Sequence, residues 1–250
     1  MVPVTVRGVV LGAGVPKICV PLVERTQQEI LMEARAVCRL PVDVVEWRAD
    51  YLQGNPREAL ATLSLLRQAL EDKPLLFTFR TAPEGGVREL SQENYWELVG
   101  EVLRSGLADL VDIELLAGGP RMAAFRRLAA QTGTKLLLSS HDFHATPTKV
   151  ELLARLRSME DLGADVSKVA VMPRSARDVL TLLETTLVRS REARGPVVTV
   201  AMGPLGAVSR LAGETFGSAM TFGAADKASA PGQLNVDLLR QALDALHGEK

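Results

Sequence analysis

Short apolar runs rich in β-branched residues alternate along the chain with longer amphipathic stretches. The runs are Lys17–Val23, Val42–Arg48, Leu75–Arg80, Leu110–Glu114, Lys135–Ser140, Lys168–Met172, Val197–Ala201 and Thr221–Ala224. Each has strand length and is almost continuously apolar, the pattern of a parallel strand covered on both faces. The stretches between them repeat at helical spacing. Tyr95, Leu98, Val99, Val102 and Leu103 make one apolar face, and Val179, Leu182, Leu183, Thr186 and Leu187 make another. Helix starts are marked by Asn55-Pro56, by Thr146-Pro147 and by Ser175 with Asp178 three positions on. The last helix is predicted over Leu234–Leu246. Strand starts recur about every 29 residues, the length of a βα unit. Eight such units in one domain, residues 1–250, predict a closed (β/α)8 barrel rather than an open sheet. Val4–Leu11 is left over and reads as a short strand or hairpin closing the bottom.

Composition narrows the function. The 250 residues are 47% hydrophobic and 24% charged, with a net charge of −1. That supplies a large core and no basic surface for nucleic acid. No run reaches membrane-spanning length and no signal peptide is apparent, so no membrane partner is expected. Cys19 and Cys38 form no CxxC pair. They fit neither a disulfide framework nor a zinc site, and they agree with a reducing cytoplasm.

In such a barrel the chemistry gathers at the carboxyl ends of the strands. The residues there are Glu46, Arg48, Arg80, Glu84, Glu114, His141, Asp142, His144, Lys168, Arg210 and the Ser229–Gln233 loop. Lys168 opens its apolar run. By position alone it is equally a solvated edge lysine or an inward amine whose pKa burial and neighbouring cations would depress. A depressed pKa would free the amine to attack a ketone. At the start of a strand it would have to reach the site from deep in the barrel. His141 suits proton transfer near neutral pH; alternatively, His141 and His144 are two ligands of a metal whose shell carboxylates complete. Glu46 and Arg48 share one strand face and Trp47 takes the other. Two charges on an inner face require partners or a polar ligand. Arg80 and Arg210 match the geometry of a carboxylate clamp. Gly12-Ala-Gly14 lacks the third glycine and the following helix of a nucleotide loop.

Six segments carry a resemblance over essentially the whole length. They are Glu46-Trp-Arg-Ala-Asp50, the 75–86 stretch ending Arg-Thr-Ala-Pro-Glu-Gly-Gly, Ser140-His-Asp-Phe-His-Ala-Thr-Pro147, Ser167-Lys-Val-Ala-Val-Met-Pro173, Ser209-Arg-Leu-Ala-Gly213 and Lys227-Ala-Ser-Ala-Pro-Gly-Gln233. The chain resembles the type I 3-dehydroquinases of the shikimate pathway. The resemblance implies a (β/α)8 barrel, usually dimeric, without metal or cofactor. It implies dehydration of 3-dehydroquinate to 3-dehydroshikimate through a lysine Schiff base, in aromatic amino acid biosynthesis or quinate catabolism. By motif position it assigns the Schiff base to Lys168, general acid–base catalysis to His141, and support of the histidine to Glu84. Substrate binding falls to Glu46, Arg48, Arg80, Arg210, Ser229 and Gln233. One departure stands out: Pro21 occupies the end of the first barrel strand, where the family carries a serine that contacts substrate. Three rival readings are a class I aldolase-type lyase on a related keto substrate, a metal-dependent barrel hydrolase and a non-catalytic barrel binding a shikimate-like ligand. The last would be marked by loss of the lysine or histidine, and both are present.

Overall fold

A computed structural model describes residues 1–54, 58–118, 121–225 and 229–248. Eight parallel strands form the barrel: β3 (Lys17–Leu22), β4 (Val44–Arg48), β5 (Leu75–Thr78), β6 (Leu110–Glu114), β7 (Lys135–Asp142), β8 (Val166–Val171), β9 (Val197–Ala201) and β10 (Met220–Ala224). They pair in chain order from β3 to β9, and β10 returns beside β3. Between β9 and β10 there is no strand ladder. That seam closes at its base, where the Ala219 amide donates to Val197 O and the Thr199 amide to Ser218 Oγ. The β10–β3 register ends at Phe222–Cys19. Pro21 lies two residues further on and has no N–H to continue the ladder.

The N-terminal strands β1 (Val4–Val6) and β2 (Val9–Leu11) form the expected hairpin. Val6 and Leu11 pack against Cys19, Val44, Leu76, Leu110, Leu137 and Val166, the inward side chains at the starts of the strands. The hairpin thus closes the bottom of the barrel, and Arg7 fastens it through Asp109 at 2.7 Å.

Two apolar cores follow from strand alternation. Val45, Trp47, Phe77, Val111, Ile113, Leu136, Leu138, Val169 and Val171 point outward under the helices. Trp47 meets Phe77 edge to face there, as its parity required. The complementary positions point inward. The lowest inner residues form the apolar floor. One step of two higher come Glu46, Thr78, Asp112, Ser139 and Lys168, and a second step brings Arg48, Arg80, Glu114 and His141. Polarity therefore begins one layer above the floor.

The helices are α1 (Gln27–Val37), α2 (Ala59–Ala69), α3 (Gln92–Ser105), α4 (Leu115–Gly118), α5 (Met122–Thr132), α6 (Lys149–Asp161), α7 (Ala176–Glu192), α8 (Ala207–Leu211), α9 (Gly213–Phe216) and α10 (Val236–His247). Thr26, Thr148 and Ser175 close capping boxes on α1, α6 and α7, each stabilising its helix by about 1 kcal/mol.

Several boundaries differ from the sequence pattern. The cap of α6 is Thr148 and not Thr146, because the box needs the carboxylate of Glu151 three residues later. Leu234 and Asn235 form β11, a short strand beside β10, before Asn235 caps α10. Asn55-Pro56 lies outside the described residues. Strand β8 begins at Val166, not Lys168. The lysine is therefore the third residue of its strand, so it stands above the floor with no need to reach up from the end.

Candidate active site

The barrel alternation delivers charged side chains into a confined space, and the structure shows how each is satisfied. Glu46 on β4 accepts from Thr78 Oγ1 at 2.7 Å. Arg48, one inner step up, is held by Asp50 through two parallel bonds of 2.8 and 2.7 Å. Its guanidinium also lies 5.1 Å over the Tyr51 ring.

Arg80 follows the end of β5 and is 3% exposed. It bonds Asp112 at 2.8 Å, Glu114 at 3.0 Å and Ser139 Oγ at 3.0 Å, with Glu84 at 3.6 Å. Ser139 donates onward to Asp112 at 2.6 Å. These carboxylates outweigh the desolvation of the guanidinium and push its pKa up. Arg80, expected with Arg210 as a carboxylate clamp, already turns its Nη atoms to three acidic side chains.

Arg210 on α8 is the opposite case. It is 2% exposed, and among the described residues its Nη atoms donate only to the Phe222 and Pro231 carbonyls, at 3.2 and 3.1 Å. Nε is buried without a hydrogen bond. No carboxylate among the described residues pairs with it, and burial pushes its pKa down to about 10. An unpaired buried cation lining a cavity is a site for an anion.

His141, near the end of β7, meets Glu84 from the short turn Ala82–Glu84. Glu84 Oε2 accepts the His141 backbone N–H at 3.0 Å and faces ring Nδ1 at 2.8 Å. An oxygen already accepting from an amide is best served by a second donor. That places the ring proton on Nδ1 and leaves Nε2 as a bare base. Burial first, then Arg80, Lys168 and Arg48, hold the imidazole pKa well below its usual value. Burial pushes the Glu84 carboxyl up to about 8, against the pull of Arg80. Phe143 packs onto Gly85, whose φ of +86° leaves no room for a side chain because the ring would lie 2.2 Å from a Cβ.

Lys168 on β8 stands beside Ser139 of β7 and Val198 of β9. It is 5% exposed, and its Nζ sits 4.2 Å over the Phe222 ring. Among the described residues Nζ makes no hydrogen bond. Burial depresses its pKa, opposed by Glu46 and Asp112 and assisted by Arg80.

All nine site residues drawn from the sequence line a single cavity whose empty space, its opening to solvent included, is about 490 Å³. Ser229 and Gln233 border it and bond each other, the Ser229 N–H to Oε1 at 2.8 Å and Nε2 to Ser229 Oγ at 3.0 Å. His144 is exposed in the loop and does not line the cavity, so the alternative pairing of His141 with His144 around a metal loses its geometry.

The sequence reading overlooked Asp112, Thr78 and Ser139 as partners, and Asp50 as the brace on Arg48. The first three had a legible signal: each sits two residues before Glu114, Arg80 or His141 on an apolar strand. Gly85, Phe143, Ala170, Val200, Met202, Phe222 and Ala230 complete the lining. Apolar residues on apolar strands leave no such mark.

A parallel barrel that gathers in one cavity a buried lysine, a histidine facing a glutamate and an arginine with no carboxylate partner among the described residues has the equipment of a Schiff-base class of barrel enzyme. The family model of type I 3-dehydroquinase matches residues 18–250, and the chain belongs to that family. The 3-dehydroquinate dehydratase of Bacillus subtilis is 47% identical over 246 residues, covering 97% of this chain and 96% of that one. The crystal structure of the type I 3-dehydroquinate dehydratase from Clostridium difficile with covalently modified comenic acid superposes with a TM-score of 0.94. It is 42% identical and covers 98% of both chains. The 3-dehydroquinate dehydratase structure from Geobacillus kaustophilus also gives 0.94, at 43% identity over 98% of this chain and 96% of that one.

Proposed function

We propose that Lys168 is the Schiff-base nucleophile and His141 the proton-transfer group in the dehydration of 3-dehydroquinate. The chain is a lyase of the shikimate pathway, which leads to aromatic amino acids, and it converts 3-dehydroquinate to 3-dehydroshikimate. The observation carrying the residue assignment is the convergence in one cavity of a buried amine and a buried arginine that have, among the described residues, no hydrogen-bond and no carboxylate partner respectively, with an imidazole whose Nδ1 faces Glu84.

The free amine of Lys168 attacks the C3 ketone and water leaves, giving an iminium. The iminium draws electrons from the adjacent carbon, and His141 Nε2 removes the C2 proton to give the enamine. The enamine expels the C1 hydroxyl, which takes the proton from the imidazolium and departs as water. A water molecule then hydrolyses the product iminium and frees Lys168. The balance is one water lost per turnover, and the lysine is the only electron sink the sequence of steps requires.

Glu84 holds Nδ1–H, so Nε2 stays a base and the imidazolium is stabilised once formed. Arg210 supplies the cation for the substrate carboxylate, with Ser229 and Gln233 exchanging their mutual bond for substrate oxygens. Glu46 and Arg48 face the ring hydroxyls. Arg80 touches the same cavity while fixing Glu84 and Glu114. Such preorganised contacts hold the reacting atoms in line.

This reading extends to one catalytic unit over residues 1–250, acting as a cytoplasmic homodimer. Exposed Val150, Leu180, Leu205 and Val208 on consecutive elements support a partner face. Cys19 and Cys38 are both free, in keeping with a reducing compartment. No helix of the described residues is long and apolar enough to cross a membrane.

Borohydride reduction during turnover, followed by peptide mass spectrometry, tests the assignment. The expected adduct is on Lys168. In His141→Ala the rate should fall by about 10²–10⁴-fold while substrate still binds. Full activity with no adduct on Lys168 would remove the lysine, and a near-normal rate in His141→Ala would remove the histidine.

A further inference from the structure

Asp50 lies outside the cavity, yet it is the most heavily bonded carboxylate near it. It sits on the turn Ala49–Tyr51 that follows β4, with its side chain fully buried. Oδ1 accepts from Arg48 Nε at 2.8 Å and from the Arg80 N–H at 3.3 Å. Oδ2 accepts from Arg48 Nη2 at 2.7 Å and from the Val87 N–H at 3.2 Å.

We propose that Asp50 is a positioning residue for the dehydration, aligning Arg48 in the cavity and tethering the segment that presses Glu84 against His141. The proposal rests on the reading of Arg48 and Glu84 given above. Its first half is geometric. With Nε–H and one N–H of Nη2 committed to Asp50 and the guanidinium carbon 5.1 Å over the Tyr51 ring, Nη1 and the second N–H of Nη2 remain to serve the cavity among the described contacts. A bidentate partner fixes both the direction and the rotation of a guanidinium, which a single bond does not.

The second half concerns the 80–87 segment. Its two ends, the Arg80 and Val87 amides, are both anchored on Asp50, and Glu84 lies between them. The arc is also closed internally by the Glu84 and Gly86 amides donating to Thr81 O. A turn held at both ends by one buried carboxylate cannot retreat from His141 without breaking charge-assisted bonds.

Asp50→Asn keeps the shape but turns one acceptor into a donor facing Arg48 Nη2. We expect KM to rise by about 10–100-fold through Arg48. The penalties should not add, so that Asp50→Asn with Arg48→Ala is no worse in KM than Arg48→Ala alone. The acid limb of kcat/KM should also move to higher pH. His141 faces Glu84, Arg80, Lys168 and Arg48. A Glu84 released from burial ionises more readily, and a carboxylate beside the imidazole favours its protonation.

If Asp50→Asn does not fold, Asp50→Glu keeps the charge, displaces both oxygens and must raise KM in the same way. A variant that melts earlier but retains the wild-type KM and acid limb would reduce Asp50 to a structural residue and overturn the proposal. Additive penalties with Arg48→Ala would do the same. Borohydride labelling of Lys168 in the wild type is scored separately, so failure of the Schiff-base assignment is distinguishable from failure of this one.

Discussion

Arg80 and Arg210 are both almost fully buried beside the same cavity, and their replacement by methionine should have very unequal consequences for stability. Arg80 is surrounded by Asp112, Glu114 and Glu84. Removing it leaves those groups buried without their cation, a loss of about 3–5 kcal/mol. At about 2–4 °C per kcal/mol for a chain of this size, the melting temperature should drop by roughly 6–20 °C. Arg210 has no carboxylate partner among the described residues. Its descent to about 10 corresponds to about 3 kcal/mol of penalty on the charged form. Its two charge-assisted bonds to carbonyls return about 1.5–3 kcal/mol each. The two contributions roughly cancel, so Arg210→Met should melt within a few degrees of wild type, while KM rises by about 30-fold or more for want of the cation. Differential scanning calorimetry of the substrate-free proteins and steady-state kinetics measure both quantities. A melting temperature many degrees lower in Arg210→Met, or an unchanged one in Arg80→Met, would refute the charge assignment on which the reasoning depends.

Lys168→Met should be more stable than wild type at neutral pH, because burial penalises the charged amine and depresses its pKa. A lowered folded pKa means the wild type regains stability as pH rises from that value towards about 10.4. The gain of the variant must shrink over that window in thermal melts, and a constant difference across it would contradict the assignment. Gly232→Ala addresses the loop over the cavity: Gly232 has φ +77° and a Cβ there would lie 2.3 Å from Gly203 O. The substitution should lift the 229–233 segment and raise KM by about tenfold with little change in melting temperature, whereas an unaltered KM would separate that segment from substrate binding.

Much of this site was legible because a strand repeats every two residues. Glu46 with Arg48 had to share the inner face, and Trp47 had to leave it, whatever the rest of the fold did. The same rule applied to Thr78 with Arg80, Asp112 with Glu114 and Ser139 with His141, where the second member of each pair drew notice and the first did not. Lys168 looked misplaced only because a polar Ser-Lys start obscured the strand beginning at Val166; two residues of boundary moved it from the edge into the polar layer.

The sequence by itself determined the eight barrel strands, the face each of their side chains takes and the set of reactive groups, since these depend on local periodicity and residue chemistry. Only the tertiary structure decided how the charges were divided. Which arginine is neutralised depends on side chains from other strands and loops: Asp112 lies 32 positions from Arg80 and Asp50 two from Arg48, while among the described residues Arg210 meets only carbonyls. Electrostatic energy depends on distance and burial in three dimensions, and sequence separation specifies neither. For that reason the spent cation, Arg80, and the available one, Arg210, are alike along the chain and become distinct only in the barrel.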